Sequence, residues 1–126
     1  MTVLLDTHVL LWYLSGDRRL GAQARRAIVQ TADLVVSDIS RWEISMKVAG
    51  GKLAPIPGLR ESIDALGARR LDLREAHLKQ LETLPLLHRD PFDRALIAQA
   101  MAERMPVLTS DRQFAAYGVR TIDARE

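Results

Sequence analysis

The chain has 126 residues, 48% of them hydrophobic and 27% charged, the balance of a single globular domain able to bury a real core. It has no cysteine, so disulfides, thiolate chemistry and cysteine-ligated zinc are excluded, and no apolar run approaches the ~20 residues that span a bilayer. The net charge is +2, and the start Met1-Thr2-Val3-Leu4-Leu5-Asp6 lacks the basic region and cleavage site of a secretory signal, which predicts a cytoplasmic protein.

Val3 to Leu5 reads as a short buried strand, and Thr7 to Leu14 as a helix ended by Ser15-Gly16-Asp17. Gly21 to Thr31 is an amphipathic helix, and Leu34 to Ser37 a second buried strand. A helix over Ser40–Val48 stops at Gly50-Gly51. Pro55 to Pro57 breaks the chain before a helix at Leu59–Leu66, and Arg70 to Leu73 reads as a third strand. Glu75 to Leu84 is helical. Pro91 to Glu103 carries the clearest helical pattern, with Phe92, Ala95, Leu96, Gln99 and Ala100 in phase. Val107 to Thr109 and Arg120 to Ile122 complete the strands. No repeat or linker divides residues 1–126. Short apolar strands alternating with helices predict an α/β fold, a central parallel sheet covered by helices on both faces.

Right-handed crossovers bring the carboxyl ends of such strands to one edge, where ligands bind. Acids stand at that edge four times. Asp6 follows the first strand, Glu43 lies one turn into the helix after the second, Asp90 and Asp93 open the long helix, and Asp111 follows Val107–Thr109. Each also has a capping alternative. Asp6 and Asp111 could cap helices, Ser40-x-x-Glu43 matches a capping box, and Asp90-Pro91 is a good helix start. Capping does not explain why so many of the positions carry charge. Clustered carboxylates repel unless a cation joins them. Hard oxygen ligands suit Mg²⁺ or Mn²⁺, which would activate water and clamp a phosphodiester. Of the two acids three residues apart, Asp93 is expected to be the ligand and Asp90 an accessory group or cap. With these acids set apart, the rest of the chain is basic, which suits a phosphodiester substrate, although arginine-rich surfaces are common.

Thr109 and Ser110 are placed to hydrogen-bond a carboxylate, and Thr7 to do the same near Asp6. His8 and His88 flank acids and are candidate bases, although a metal-activated water needs neither. Trp12 and Trp42 sit in apolar helical runs and are expected in the core. Lys47, Lys52, Arg94 and Arg112 are the cations nearest the acids and are expected to contact phosphates.

These elements together resemble the PIN-domain ribonucleases, specifically the VapC-type toxins of bacterial toxin–antitoxin systems. The marks are Leu5-Asp6-Thr7-His8 with Leu11-Trp12, and Ser40-Arg41-Trp42-Glu43-Ile44 with Lys47 and Gly51-Lys52-Leu53. His88-Arg89-Asp90-Pro91-Phe92-Asp93-Arg94 and Leu108-Thr109-Ser110-Asp111 complete them. The resemblance spans the chain. It implies a three-layer α/β/α sandwich and Mg²⁺- or Mn²⁺-dependent endonucleolytic cleavage of RNA. It implies that Asp6, Glu43, Asp93 and Asp111 are the catalytic and metal-binding acids. It also implies a homodimer and a cognate antitoxin that blocks the site. Two other readings compete. One is a non-catalytic nucleic-acid-binding or scaffold module whose acids are caps. The other is a phosphatase-like hydrolase with Asp6 as nucleophile, disfavoured because His8 stands where such enzymes carry a second Asp.

Overall fold

Val3 and Leu5 project to one side of the first strand and Leu4 to the other, and this alternation builds two separate cores. The computed structural model describes residues 1–126. The strands are β1 (Thr2–Leu5), β2 (Asp33–Ser37), β3 (Arg69–Leu71), β4 (Val107–Thr109) and β5 (Thr121–Asp123). The helices are α1 (Thr7–Ser15), α2 (Ala22–Gln30), α3 (Asp38–Ala49), α4 (Leu59–Ala65), α5 (Glu75–Thr83), α6 (Pro91–Glu103) and α7 (Gln113–Ala116). All five strands are parallel, in the order β3-β2-β1-β4-β5.

One core packs Val3, Leu5, Leu34, Val36 and Leu108 against α1, α2 and α4. The other packs Leu4, Val35, Leu71 and Val107 against α6 and the α7 segment. The result is the expected α/β/α sandwich. From β1 the chain first builds outward through β2 to β3, and then returns to the other side of β1 for β4 and β5. The reversal lies between β1 and β4, which is where an open parallel sheet leaves a crevice beyond its carboxyl edge.

Local signals explain most boundaries. Gly16 ends α1 in the left-handed conformation at φ 66°, and Asp90 caps α6 ahead of Pro91. Three expectations change. The third strand covers Arg69–Leu71 and not Arg70–Leu73, in register with Val35–Ser37. Helix α3 starts at Asp38 and not Ser40, because Ser37 is its cap and accepts from the Ile39 N–H. Ser40 is therefore inside the helix, and Glu43 takes no part in a capping box. Trp12 is buried as expected, but Trp42 is 55% exposed and meets Phe92 edge-on, with centroids 4.9 Å apart. Helix α3 contributes Ile39 to one core and Ile44 to the other, so Trp42 is left facing outward.

Candidate active site

Asp6 occupies the position before α1 but makes no side-chain cap bond to it. Its side chain is buried, and Oδ2 accepts a hydrogen bond of 2.7 Å from Thr109 Oγ1 at the end of the neighbouring strand. Burial raises its pKa, against the lowering effect of the Thr109 hydroxyl. Thr7, expected beside Asp6, instead donates to Ser40 Oγ at 2.8 Å and ties α1 to α3.

Glu43 is fully buried. One turn further along α3, Lys47 Nζ lies 2.7 Å from Glu43 Oε2. Burial alone would lower the Lys47 pKa, but Glu43, with Asp90 and Asp93 behind it, holds it above its ordinary value. Asp90 is the cap of α6 and accepts from the amides of Phe92 and Asp93. Asp93, one residue into the first turn beyond Phe92, is buried and titrates high, at about 7. Burial is the main cause, followed by the charges of Asp6, Asp90 and Glu43, while His88 acts the other way.

Asp111 closes the set from the loop after β4. Its amide donates to Thr109 Oγ1 at 2.9 Å, and its Oδ1 accepts from the Gln113 N–H. Its Oδ2 lies 3.0 Å from His88 Nε2, and the same nitrogen is 2.8 Å from Asp93 Oδ2. A string of contacts therefore runs from Asp6 through Thr109, Asp111 and His88 to Asp93. Asp90 spends its side chain on capping α6, and one oxygen of Asp111 is likewise taken by the first amide of α7.

Two oxygens in this cluster, Asp6 Oδ1 and Glu43 Oε1, are buried and have no hydrogen-bond partner. A buried carboxylate oxygen left unpaired is costly. Both belong to hard anionic ligands beside further carboxylates, so the residues present fit a divalent cation such as Mg²⁺ or Mn²⁺.

The sequence matches the PIN domain family over residues 3–119. The chain belongs to the PIN domain family. It is 27% identical over 124 residues to Ribonuclease VapC22 of Mycobacterium tuberculosis (strain ATCC 25618 / H37Rv), covering 92% of each chain. Its fold is similar to a chain of VapBC2 from Rickettsia felis bound to a DNA fragment from their promoter. The TM-score is 0.75 at 14% identity, over 97% of this chain and 98% of that one. FitAcB from Neisseria gonorrhoeae gives a TM-score of 0.70 at 22% identity, over 98% of each chain.

In this PIN domain the four expected cations have different surroundings. Lys47 joins the cluster directly through Glu43. Lys52 is exposed in the turn after α3. Arg112 and Ser110 line a groove beside Asp111, opposite Arg125. Arg94, expected against phosphates, is occupied elsewhere: it donates to Pro85 O at 2.9 Å and to Tyr117 Oη at 3.1 Å, and so braces the loop before α6. His8 is exposed next to Asp6. Sequence reasoning missed two contributors. His88 was considered only as a base, and its contact with two acids at once depends on a loop conformation. Tyr117 holds that loop, accepting from the amides of Leu87 and His88 at 3.0 and 2.8 Å. No sequence signal pointed to it.

Proposed function

We propose that this PIN domain is a metal-dependent endoribonuclease, the toxin of a toxin–antitoxin pair acting in the cytoplasm. The observation that carries this reading is the pair of buried, unpartnered oxygens on Asp6 and Glu43 within a carboxylate cluster at the sheet's switch point. The ribonuclease relative and the VapBC complexes among the structural neighbours support the substrate class and the antitoxin partner. A homodimer is part of the same reading. No helix is long and apolar enough to cross a membrane.

Asp6, Glu43, Asp93 and Asp111 are the groups that would hold Mg²⁺ or Mn²⁺. When bound, such an ion lowers the pKa of a coordinated water and screens charge on the scissile phosphate. The chain's own residues prepare the site. Thr109 fixes the Asp6 carboxylate through a short hydrogen bond. Burial raises the energy of the charged carboxylates of Asp6 and Asp93, which favours the arrival of a cation. Lys47 neutralises part of the Glu43 charge until then. Lys47, Lys52 and Arg112 supply positive charge for the flanking phosphates of an RNA strand.

The test is cleavage of RNA by wild type, Asp6→Asn and Asp93→Asn, with Mg²⁺ or Mn²⁺ and with EDTA. Cleavage is expected from the wild type with metal only, with each variant reduced by orders of magnitude. Cleavage that persists in EDTA, or full activity in both variants, would overturn the reading. A non-catalytic scaffold with capping acids predicts no cleavage by any of the three, with both variants folded as well as wild type, because Asn caps as well as Asp.

A further inference from the structure

His88 stands between two acids of the cluster that come from different parts of the chain, Asp93 in α6 and Asp111 after β4. Its Nε2 and the facing oxygens of Asp93 and Asp111 all lie within 4.8 Å of one another, a spacing that a metal with one nitrogen ligand could also use. The other ring nitrogen decides between the two roles. The Asp90 N–H points at Nδ1 from 3.2 Å, so Nδ1 must offer a lone pair. A neutral imidazole with its lone pair at Nδ1 carries its hydrogen at Nε2. A nitrogen that carries a hydrogen donates and does not ligate.

We propose that His88 is a positioning residue, whose Nε2–H donates to the Asp111 carboxylate and sets it against that of Asp93, 2.8 Å from the same nitrogen, and which is not itself a metal ligand. The proposal rests on the nuclease reading for its meaning but not for all of its tests. The ring is held on each side that matters. Tyr117 Oη accepts from the His88 backbone amide, Asp90 N–H fixes Nδ1, and the ring is largely buried. Asp111 is fixed on its other oxygen by the Gln113 N–H. Without a donor beside it, Asp111 would face Asp93 as a second like charge whenever Asp93 is ionised. With it, the Asp111 carboxylate keeps a fixed orientation beside Asp93, whose Oδ1 is left outside the contact.

Three variants separate this role from its rivals. His88→Ala removes both nitrogens. His88→Asn keeps an acceptor for the Asp90 N–H but has no donor that reaches the acids. His88→Gln restores a donor near the place of Nε2. The readouts are kcat and KM for RNA cleavage, Mg²⁺ affinity by calorimetry, thermal melting, and the ¹⁵N resonances of the His88 ring with and without Mg²⁺.

His88→Ala and His88→Asn are expected to lose about 10–100-fold in kcat or Mg²⁺ affinity, with KM for RNA little changed. His88→Asn should melt close to wild type, and His88→Gln should recover most of the loss. The ring spectrum should show hydrogen at Nε2 and none at Nδ1, with and without Mg²⁺. Wild-type behaviour in His88→Asn would reduce His88 to a loop support and overturn the proposal. Loss of the Nε2 hydrogen on adding Mg²⁺, with no rescue by Gln, would make it a ligand instead. If the wild type cleaves no RNA, the nuclease reading fails, and the Mg²⁺ affinities and ring spectra still judge His88.

Discussion

Thr109 Oγ1 donates to Asp6 Oδ2 at 2.7 Å, joining the ends of two adjacent parallel strands that are 103 residues apart in sequence. The same hydroxyl accepts from the Asp111 amide, so one threonine orients two acids. Thr109→Val keeps the shape and removes both bonds, leaving a buried carboxylate with neither oxygen paired. The metal-free protein should lose about 1–3 kcal/mol. Thr109→Ser should retain most of it. Urea unfolding in EDTA measures the difference, and equal stability of the valine variant would show that the hydroxyl does not support Asp6.

Asp93 links stability to pH. Its carboxyl titrates at about 7 in the folded chain, raised chiefly by burial and then by Asp6, Asp90 and Glu43, whereas an unfolded Asp titrates near ~3.9. Between those values the native state holds a proton that the unfolded state has released. Stability in EDTA should therefore fall as pH rises from about 4 to about 7, and then level off. The full effect is at most ~4 kcal/mol. Asp93→Asn should flatten its share of this slope and melt higher than wild type at pH 8 without metal. Excess Mg²⁺ should raise the wild type above its EDTA value at pH 8 and leave the variant nearly unmoved. Identical wild-type and variant profiles across this range would remove Asp93 from the repulsive cluster.

Lys47 is about one-third exposed, but its partner Glu43 is not exposed at all. Lys47→Met should cost about 1–3 kcal/mol of metal-free stability, because it strands a buried carboxylate. Added Mg²⁺ should restore much of that loss. A variant as stable as wild type in EDTA would mean that water reaches Glu43 and replaces the ammonium.

Arg94 is expected to matter through the loop it braces. Arg94→Met removes its bonds to Pro85 O and Tyr117 Oη and should lower stability by about 1–2 kcal/mol. Cleavage should fall through kcat, as the loop bearing His88 loosens. A raised KM for RNA at unchanged stability would return Arg94 to a phosphate-binding role.

The legible parts of this protein were those with local causes. Helix α6 and strand β4 have the boundaries that Asp90-Pro91, the apolar spacing and the short run Val107–Thr109 predict. Trp42 departs from its expected core position because periodicity reports an apolar stripe without saying what lies opposite it. Here α3 feeds Ile39 and Ile44 to two different cores, and Trp42 on the face between meets Phe92 but stays half exposed. The capping box at Ser40 was misplaced for a related reason. Ser37 and Ser40 are both good caps, and the register of β2 selects the first.

Strand periodicity, turn residues and crossover handedness are local or nearly so, and they suffice to place acids at the carboxyl ends of buried parallel strands. Lys47 lies one helical turn from Glu43, so that pair needed only the helix. Packing chose the other partners: Thr109 for Asp6, His88 for Asp93 and Asp111, and Tyr117 for the His88 loop. Thr109–Asp6, His88–Asp111 and Tyr117–His88 span 103, 23 and 29 residues and are set by packing, and His88–Asp93, though close in sequence, depends on the loop that Tyr117 holds, since hydrogen bonds form over about 3 Å.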